Sequence, residues 1–303
     1  MSKTVLVLGG SGLFGGHAAR AFAAAGWMVR RFQRGTDMAA AARGADVIVN
    51  GLNPPMYHDW KTLVPRITAE VLGAARASGA MVIVPGNVYV YGDQPGPWGP
   101  ATPQRPVARK GEIRRAMEAG YRRAAEAGTQ VLILRGGDFI APDAPQSFLN
   151  MIVLKGLARG RMTTPAPMEV TRAWAYLPDM ARAAVLLADR RADLPAFTDL
   201  PFPGVAVSMA EIKARVEALT GRRLKVSRFP WWAMTLAAPF WELARELREM
   251  RYLYNHPHSL DPAPFAALLP EFRMTGLDTV LREHIDRLLP AAQGRSMVTQ
   301  TGR

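Results

Sequence analysis

The sequence predicts an α/β protein, a doubly wound parallel sheet followed by a smaller, mostly helical C-terminal domain. Three observations predict it. Short apolar runs alternate with stretches of four-residue apolar spacing between Val5 and Leu134. Gly9, Gly12 and Gly15 stand at three-residue intervals where the first apolar run ends. After about Asp138 the alternation gives way to proline-rich loops (APDAPQ, TTPAP, DLPFPG) among helical stretches.

Taken in order, Val5–Leu8 is a continuous apolar run bounded by glycines, as a strand buried on both faces requires. A helix is expected from about Gly16 to Ala25, stopped by Gly26. Met28–Phe32, Asp46–Val49, Met81–Val84 and Val131–Leu134 read as the second to fifth strands. Leu63, Ile67 and Val71 share one helical face and Ile113, Met117 and Tyr121 another, with Gly79 and Gly128 as C-terminal stops. Asp179–Ala188 reads as a later helix, and Ser208-Met209-Ala210-Glu211 opens another with a capping box that Gly221 ends. The domain expectation is residues 1–140 together with about 170–192 for the sheet domain, 141–169 and 193–290 for the smaller one, and a disordered tail at 291–303.

Composition narrows the function classes. With 303 residues, 49% of them apolar, there is material for one large or two unequal domains. No cysteine is present, which excludes disulfides, thiolate metal sites and a cysteine nucleophile, and makes the cytoplasm the expected compartment. The net charge is +13, yet the 38 basic residues, six of them lysine, are scattered in pairs such as Arg30-Arg31 and Arg222-Arg223. That pattern carries no nucleic-acid motif and favours small phosphate-bearing anions as partners. The Trp231–Trp241 run is too short to span a bilayer. The surrounding segment 228–254 reads either as an interfacial helix or, preferably, as an amphipathic helix packed on the smaller domain or on a dimer partner; a homodimer is left open.

The glycine triplet carries a mechanism in its strand-turn-helix context. Gly9 takes the tight turn, Gly12 lets backbone approach a pyrophosphate, Gly15 lets helix and sheet pack, and the N–H groups near Leu13 and Phe14 face the phosphates. This makes the first domain Rossmann-type. The second strand ends Arg30-Arg31-Phe32-Gln33-Arg34 with no carboxylate, so NADP(H) is favoured over NAD(H), with Arg34 and then Arg31 for the 2′-phosphate.

The motifs G-x-x-G-x-x-G, PGNVYVYGD, LRGGDFIAP and TRAWAYLPDMARA, in that order, resemble the extended short-chain dehydrogenase/reductase family of the NAD-dependent epimerase/dehydratase type. The resemblance implies an NAD(P)-dependent oxidoreductase or epimerase-like enzyme acting on a small, sugar-like carbonyl or alcohol. It places Asn50, Gly51 and Leu52, Pro85 and Gly86, and Asp138 and Phe139 along the cofactor, and Arg172, Trp174 and Tyr176 beside the substrate. Asn87 falls where the family has its catalytic Ser or Thr. Val107 and Gly111 fall where it has the tyrosine and lysine of Tyr-x-x-x-Lys, and Lys110 is one place early, about 100° round the helix. The strand-helix unit that usually brings an aspartate to the adenine ring is also absent, since only ten residues separate Arg34 from Ala45.

Without the family tyrosine, a surrogate acid is needed. Tyr91 ranks first and Tyr57 second, with Tyr57 and Tyr89 also candidates to face the substrate, and Lys110 completes the catalytic set. The competing reading is a catalytically silent NADP(H)-binding protein.

Overall fold

A computed structural model describes residues 3–289; the tail expected to be disordered lies outside them. In chain order the first half is β1 (Thr4–Leu8), α1 (Leu13–Ala24), β2 (Met28–Arg31), α2 (Met38–Ala42), β3 (Val47–Asn50), α3 (Trp60–Ser78), β4 (Met81–Gly86), α4 (Arg109–Glu126) and β5 (Val131–Arg135). The second half is β6 (Asp138–Ile140), β7 (Arg161–Thr164), β8 (Arg172–Tyr176), α5 (Leu177–Asp189), β9 (Phe197–Pro201), β10 (Val205–Val207), α6 (Met209–Thr220), β11 (Lys225–Arg228), α7 (Trp231–Ala237), α8 (Glu242–Glu249), α9 (Tyr252–Asn255), α10 (Ala263–Leu268) and α11 (Leu277–Leu288).

The main sheet has the order β2-β1-β3-β4-β5-β9, and every pairing is parallel. Alternation along the strands feeds two cores. Val5, Val7, Val49, Ile83 and Leu134 pack with Phe14 and Phe22 of α1 and Met180 and Ala184 of α5. Leu6, Leu8, Ile48, Val84 and Ile133 pack on the opposite face with Trp60 and Val71 of α3 and Met117 and Tyr121 of α4. The order of strand addition switches sides between β1 and β3, which puts the crevice of the sheet over the glycine loop.

Two expectations need correction. The first helix begins at Leu13, not Gly16, because close packing of Gly15 against Gly9 outweighs the low helix propensity of the two glycines. Residues 197–201, assigned to the smaller domain, supply β9, the sixth strand of the main sheet. Its Asp199 and Pro201 disguise it as a loop, and its place at the sheet edge tolerates them. β2 forms the other edge among the described residues, and only the five-residue α2, capped by Asp37, lies between it and β3.

The rest of the chain builds a three-stranded sheet, β10-β8-β6, and a parallel ribbon of β7 and β11. Ile140, Leu149, Trp174, Ile212, Val216 and Leu281 form its core. A fourth cluster, with Val88, Tyr91, Trp98, Met250 and Leu253, fastens α8 and α9 to the loop after β4.

Candidate active site

The glycine loop has the geometry its spacing requires. Gly9 sits at φ +68°, and a Cβ there would lie 2.6 Å from the Gly51 carbonyl oxygen. A Cβ on Gly15 would lie 2.3 Å from the Gly9 carbonyl oxygen, and one on Gly51 would lie 2.7 Å from that of Leu8. Only bare backbone fits where β1, α1 and β3 meet. The Gly12 N–H donates to Gly9 O at 2.8 Å to close the turn. Gly12 then caps α1 without a side-chain hydrogen bond, and the first turn holds no acid, so its N–H groups at Leu13 and Phe14 are left for an anion. The Phe14 ring itself is buried in the core.

The exposed Arg31 lays its stem across Gly10, with Cδ 3.5 Å from where a Cβ would be. Arg34 lines a groove of about 740 Å³ with Phe32, Asp37, Leu52, Pro54 and Ile67. Neither arginine has an ion-pair partner among the described residues. Asn50 does not face this groove. Its amide donates to the Tyr121 hydroxyl at 2.9 Å, and its Oδ1 accepts from Leu52 N–H, so a buried side chain braces the turn instead of touching a ligand. Gly86 is needed for packing, because a Cβ there would lie 2.6 Å from Ile133 Cγ2. The preceding Pro85 is half-buried.

The segment 102–111 holds neither partner of a Tyr-x-x-x-Lys pair. Val107 is 53% exposed. Gly111 presses on the backbone of Tyr89, where a Cβ would come within 2.5 Å of the carbonyl oxygen, so a lysine could not stand there. Lys110, 1% exposed, turns inward and is ion-paired to Glu246 and, at 2.9 Å, to Glu249 of α8. It fastens α8, which corrects its expected catalytic placement. Asn87 accepts Tyr89 N–H through Oδ1 at 3.0 Å and brings no hydroxyl.

Tyr91 is also corrected. Its buried hydroxyl donates to Gly99 O at 3.3 Å and its ring lies between Trp98 and the Arg135 guanidinium. Arg135 is itself buried between Glu118 and Asp199. Burial pushes the Tyr91 phenol up, and the hydroxyl serves this structural network.

What the fold does assemble is a tyrosine cluster over the ends of β3 and β4. The Tyr57 hydroxyl is 3.2 Å from that of Tyr89. The backbone that presents Tyr57 is strained, with Met56, Tyr57 and Asp59 at φ 53°, 62° and 40°. Lys110 Nζ lies 5.1 Å from the Tyr57 ring centroid, and Arg114 binds Asn53 at 2.8 Å while covering Trp60. Burial raises the Tyr57 phenol, the Asp138 charge adds to the rise, and the Tyr89 hydrogen bond, Arg114 and Arg172 oppose it. Tyr89 is raised further, by burial and then by Tyr57.

Behind this pair, Asp138 and Arg172 form an ion pair, and the guanidinium lies 4.2 Å from the Tyr254 ring centroid. Burial raises the Asp138 carboxyl against the pull of Arg172. Nε and Nη1 of the buried Arg172 find no hydrogen-bond partner among the described residues.

Phe139 packs partly into the sheet core. Trp174, expected beside a substrate, is a core residue whose indole donates to Val207 O at 3.2 Å, because β8 is central in its small sheet. Tyr176 donates to Glu283 of α11 at 2.8 Å and is likewise tied into the fold. Sequence reasoning missed Glu246, Glu249 and Tyr254. The two glutamates stand three apart among the arginines of α8, a helical pair with a basic partner to find, but nothing local names Lys110 as that partner.

No family model and no curated protein matches the chain. Solved structures do. UDP-glucose 4-epimerase from Brucella ovis, in complex with NAD, superposes with a TM-score of 0.72 at 18% identity over 95% of this chain and 98% of that one. UDP-glucuronic acid 4-epimerase from Bacillus cereus, in complex with UDP-glucuronic acid and NAD, gives 0.73 at 15% over 94% and 98%. MoeE5, in complex with UDP-glucuronic acid and NAD, gives 0.75 at 17% over 94% and 98%. The chain thus has the fold of the NAD-bound nucleotide-sugar epimerases of the extended short-chain dehydrogenase/reductase type.

Proposed function

We propose that the chain is an NAD(P)-dependent oxidoreductase or epimerase/dehydratase-like enzyme acting on a carbonyl or alcohol of a small, sugar-like substrate, with Tyr57 as proton donor. The observation that carries the reading is the Tyr57–Tyr89 hydroxyl contact, held by strained backbone at the sheet crevice that the glycine loop also borders. The residues present fit a dinucleotide. Gly9, Gly12, Gly15 and Gly51 leave a backbone cradle, the start of α1 offers N–H groups, and Arg31 and Arg34 near the end of β2 are exposed cations that would suit a 2′-phosphate. NADP(H) is therefore favoured, although the structural neighbours named above hold NAD.

When bound, the nicotinamide supplies hydride transfer to or from the substrate carbon. Tyr57, kept protonated at neutral pH by burial, gives its proton to the substrate oxygen, and Tyr89 supports the phenolate through the 3.2 Å contact. The unpartnered Nε and Nη1 of Arg172 suit an anionic part of the substrate, such as the diphosphate of a nucleotide sugar. Val107 and Gly111 at the tyrosine and lysine places favour a second reading, a silent NADP(H)-binding protein.

The test is titration of the protein with NADPH and NADH by nicotinamide fluorescence, then turnover on a panel of UDP-sugars. NADPH is expected to bind at least about tenfold more tightly than NADH, and Arg34→Ala to erase the difference. Tyr57→Phe is expected to lower kcat by about 100-fold or more, with Tyr91→Phe neutral. Cofactor binding with no turnover would select the silent reading, and unchanged turnover in Tyr57→Phe would remove Tyr57 as the acid.

A further inference from the structure

The face of the smaller lobe built from β7, β11 and α7 combines two features the candidate active site does not use. The first is uncompensated positive charge. Residues 151–168 and 221–241 contain no Asp or Glu, and they carry Lys155, Arg159, Arg161, Arg222, Arg223, Lys225 and Arg228, all exposed. Arg223 reaches Glu217 at 4.0 Å; the other six make no ion pair among the described residues. Pairing of β7 with β11 sets Arg161 opposite Lys225 and keeps these cations together.

The second feature is an apolar ridge continuous with that ribbon. Phe229 N–H donates to Thr164 O and the Trp231 indole to Pro165 O, both at 2.8 Å, so α7 is anchored at the ribbon's end by its inner face. Its outer face is bare. Trp232 is 71% exposed and Leu236, four residues on, 69%; Phe240, a further turn on, is 93% exposed, and Trp241 is also exposed. The sequence favoured packing of segment 228–254 on the smaller domain or on a dimer partner; the fold buries Ala238, Ala244, Met250 and Leu253 of it and leaves the outer face of α7 bare.

We propose that this face docks on an anionic lipid surface. Indoles, Phe240 and Leu236 enter the headgroup and upper acyl region while the cations of the ribbon meet lipid phosphates and carboxylates. The occupant follows from charge and shape together. A second copy of the chain seated face to face would set six unpaired cations against six, which opposes isologous pairing. Nucleic acid would satisfy the cations, but an aliphatic Leu236 between protruding aromatics offers no stacking platform. No helix among the described residues is long and apolar enough to cross a membrane, so the attachment is peripheral.

The experiment is co-sedimentation of the full chain with vesicles of phosphatidylcholine alone and of phosphatidylcholine with about a third phosphatidylserine, at low and high salt. The result expected is binding to the anionic vesicles, weakened at high salt, with a blue shift of tryptophan emission. Phe240→Glu with Trp232→Glu is expected to abolish it, and Arg222→Glu with Arg228→Glu to weaken it by about fivefold or more per site. All four positions are exposed, and circular dichroism of the variants checks that each still folds. Failure to bind anionic vesicles at low salt would overturn the proposal. So would light scattering that shows a dimer which Phe240→Glu dissociates, or binding of single-stranded RNA that survives the loss of Phe240 and Trp232 while vesicle binding is absent.

Discussion

Replacing Lys110 by Met separates a structural lysine from a catalytic one. The ammonium is 1% exposed and lies between Glu246 and Glu249, whose side chains are themselves largely buried. Methionine nearly matches the length of the side chain but leaves the two carboxylates with solvent-side partners alone, among them Arg245 at 3.3 Å from Glu246. Breaking a buried pair from one side costs about 3–5 kcal/mol, because the stranded charge keeps its desolvation cost. Arg109 also reaches both glutamates, at 3.3 and 3.6 Å, but from solvent, where such a pair returns less than about 1 kcal/mol. An unfolding entropy of about 2.1 cal/mol/K per residue over this chain length converts the loss into a drop in Tm of about 5–8 °C. Thermal unfolding followed by circular dichroism reads it. The triple variant Lys110→Met, Glu246→Gln, Glu249→Gln is expected to recover at least half of the drop, since the charges left unpaired are gone. A single variant melting within about 1 °C of the parent would refute the reasoning, because α8 would then not depend on this cluster.

Two further outcomes follow from the same geometry. Gly15→Ala, which forces a Cβ to 2.3 Å from a backbone oxygen, is expected to abolish dinucleotide binding and lower Tm, and Gly111→Ala, with 2.5 Å to Tyr89 O, to destabilise without touching the glycine loop; binding titrations beside melting curves distinguish them. His258, stacked on Trp98, and His284, bonded to Asn150, are both held down at about 4 by burial. At neutral pH both are uncharged folded and unfolded; between about 6.5 and 4 only the unfolded chain takes up the protons, so stability should fall by up to about 3 kcal/mol per histidine and level off below 4, and a flat urea midpoint across that window would contradict it.

The sheet was legible in the sequence because a strand buried on both faces leaves a continuous apolar run. Val5–Leu8 and Val131–Leu134 are such runs, and glycine stops at Gly26, Gly79, Gly128 and Gly221 do take positive φ. The glycine turn was equally legible, since Gly9 and Gly15 answer a steric demand within seven residues. β9 was not, because an edge strand tolerates the Asp and Pro that elsewhere mark a loop. That residues 102–111 hold no Tyr-x-x-x-Lys pair was also a local reading, made at Val107 and Gly111. Where the candidate hydroxyls stand was decided in three dimensions. Tyr91 stood in the right motif but turned into the Arg135 network, while Tyr57 was brought to Tyr89 across 32 residues by a strained turn. Lys110 likewise met Glu246 and Glu249 across more than 130 positions. Local sequence determines strands, turns and the glycine cradle, because their forces act between near neighbours. Charge pairing and burial among distant segments, which set the chemistry of the site, exist only once the chain is folded.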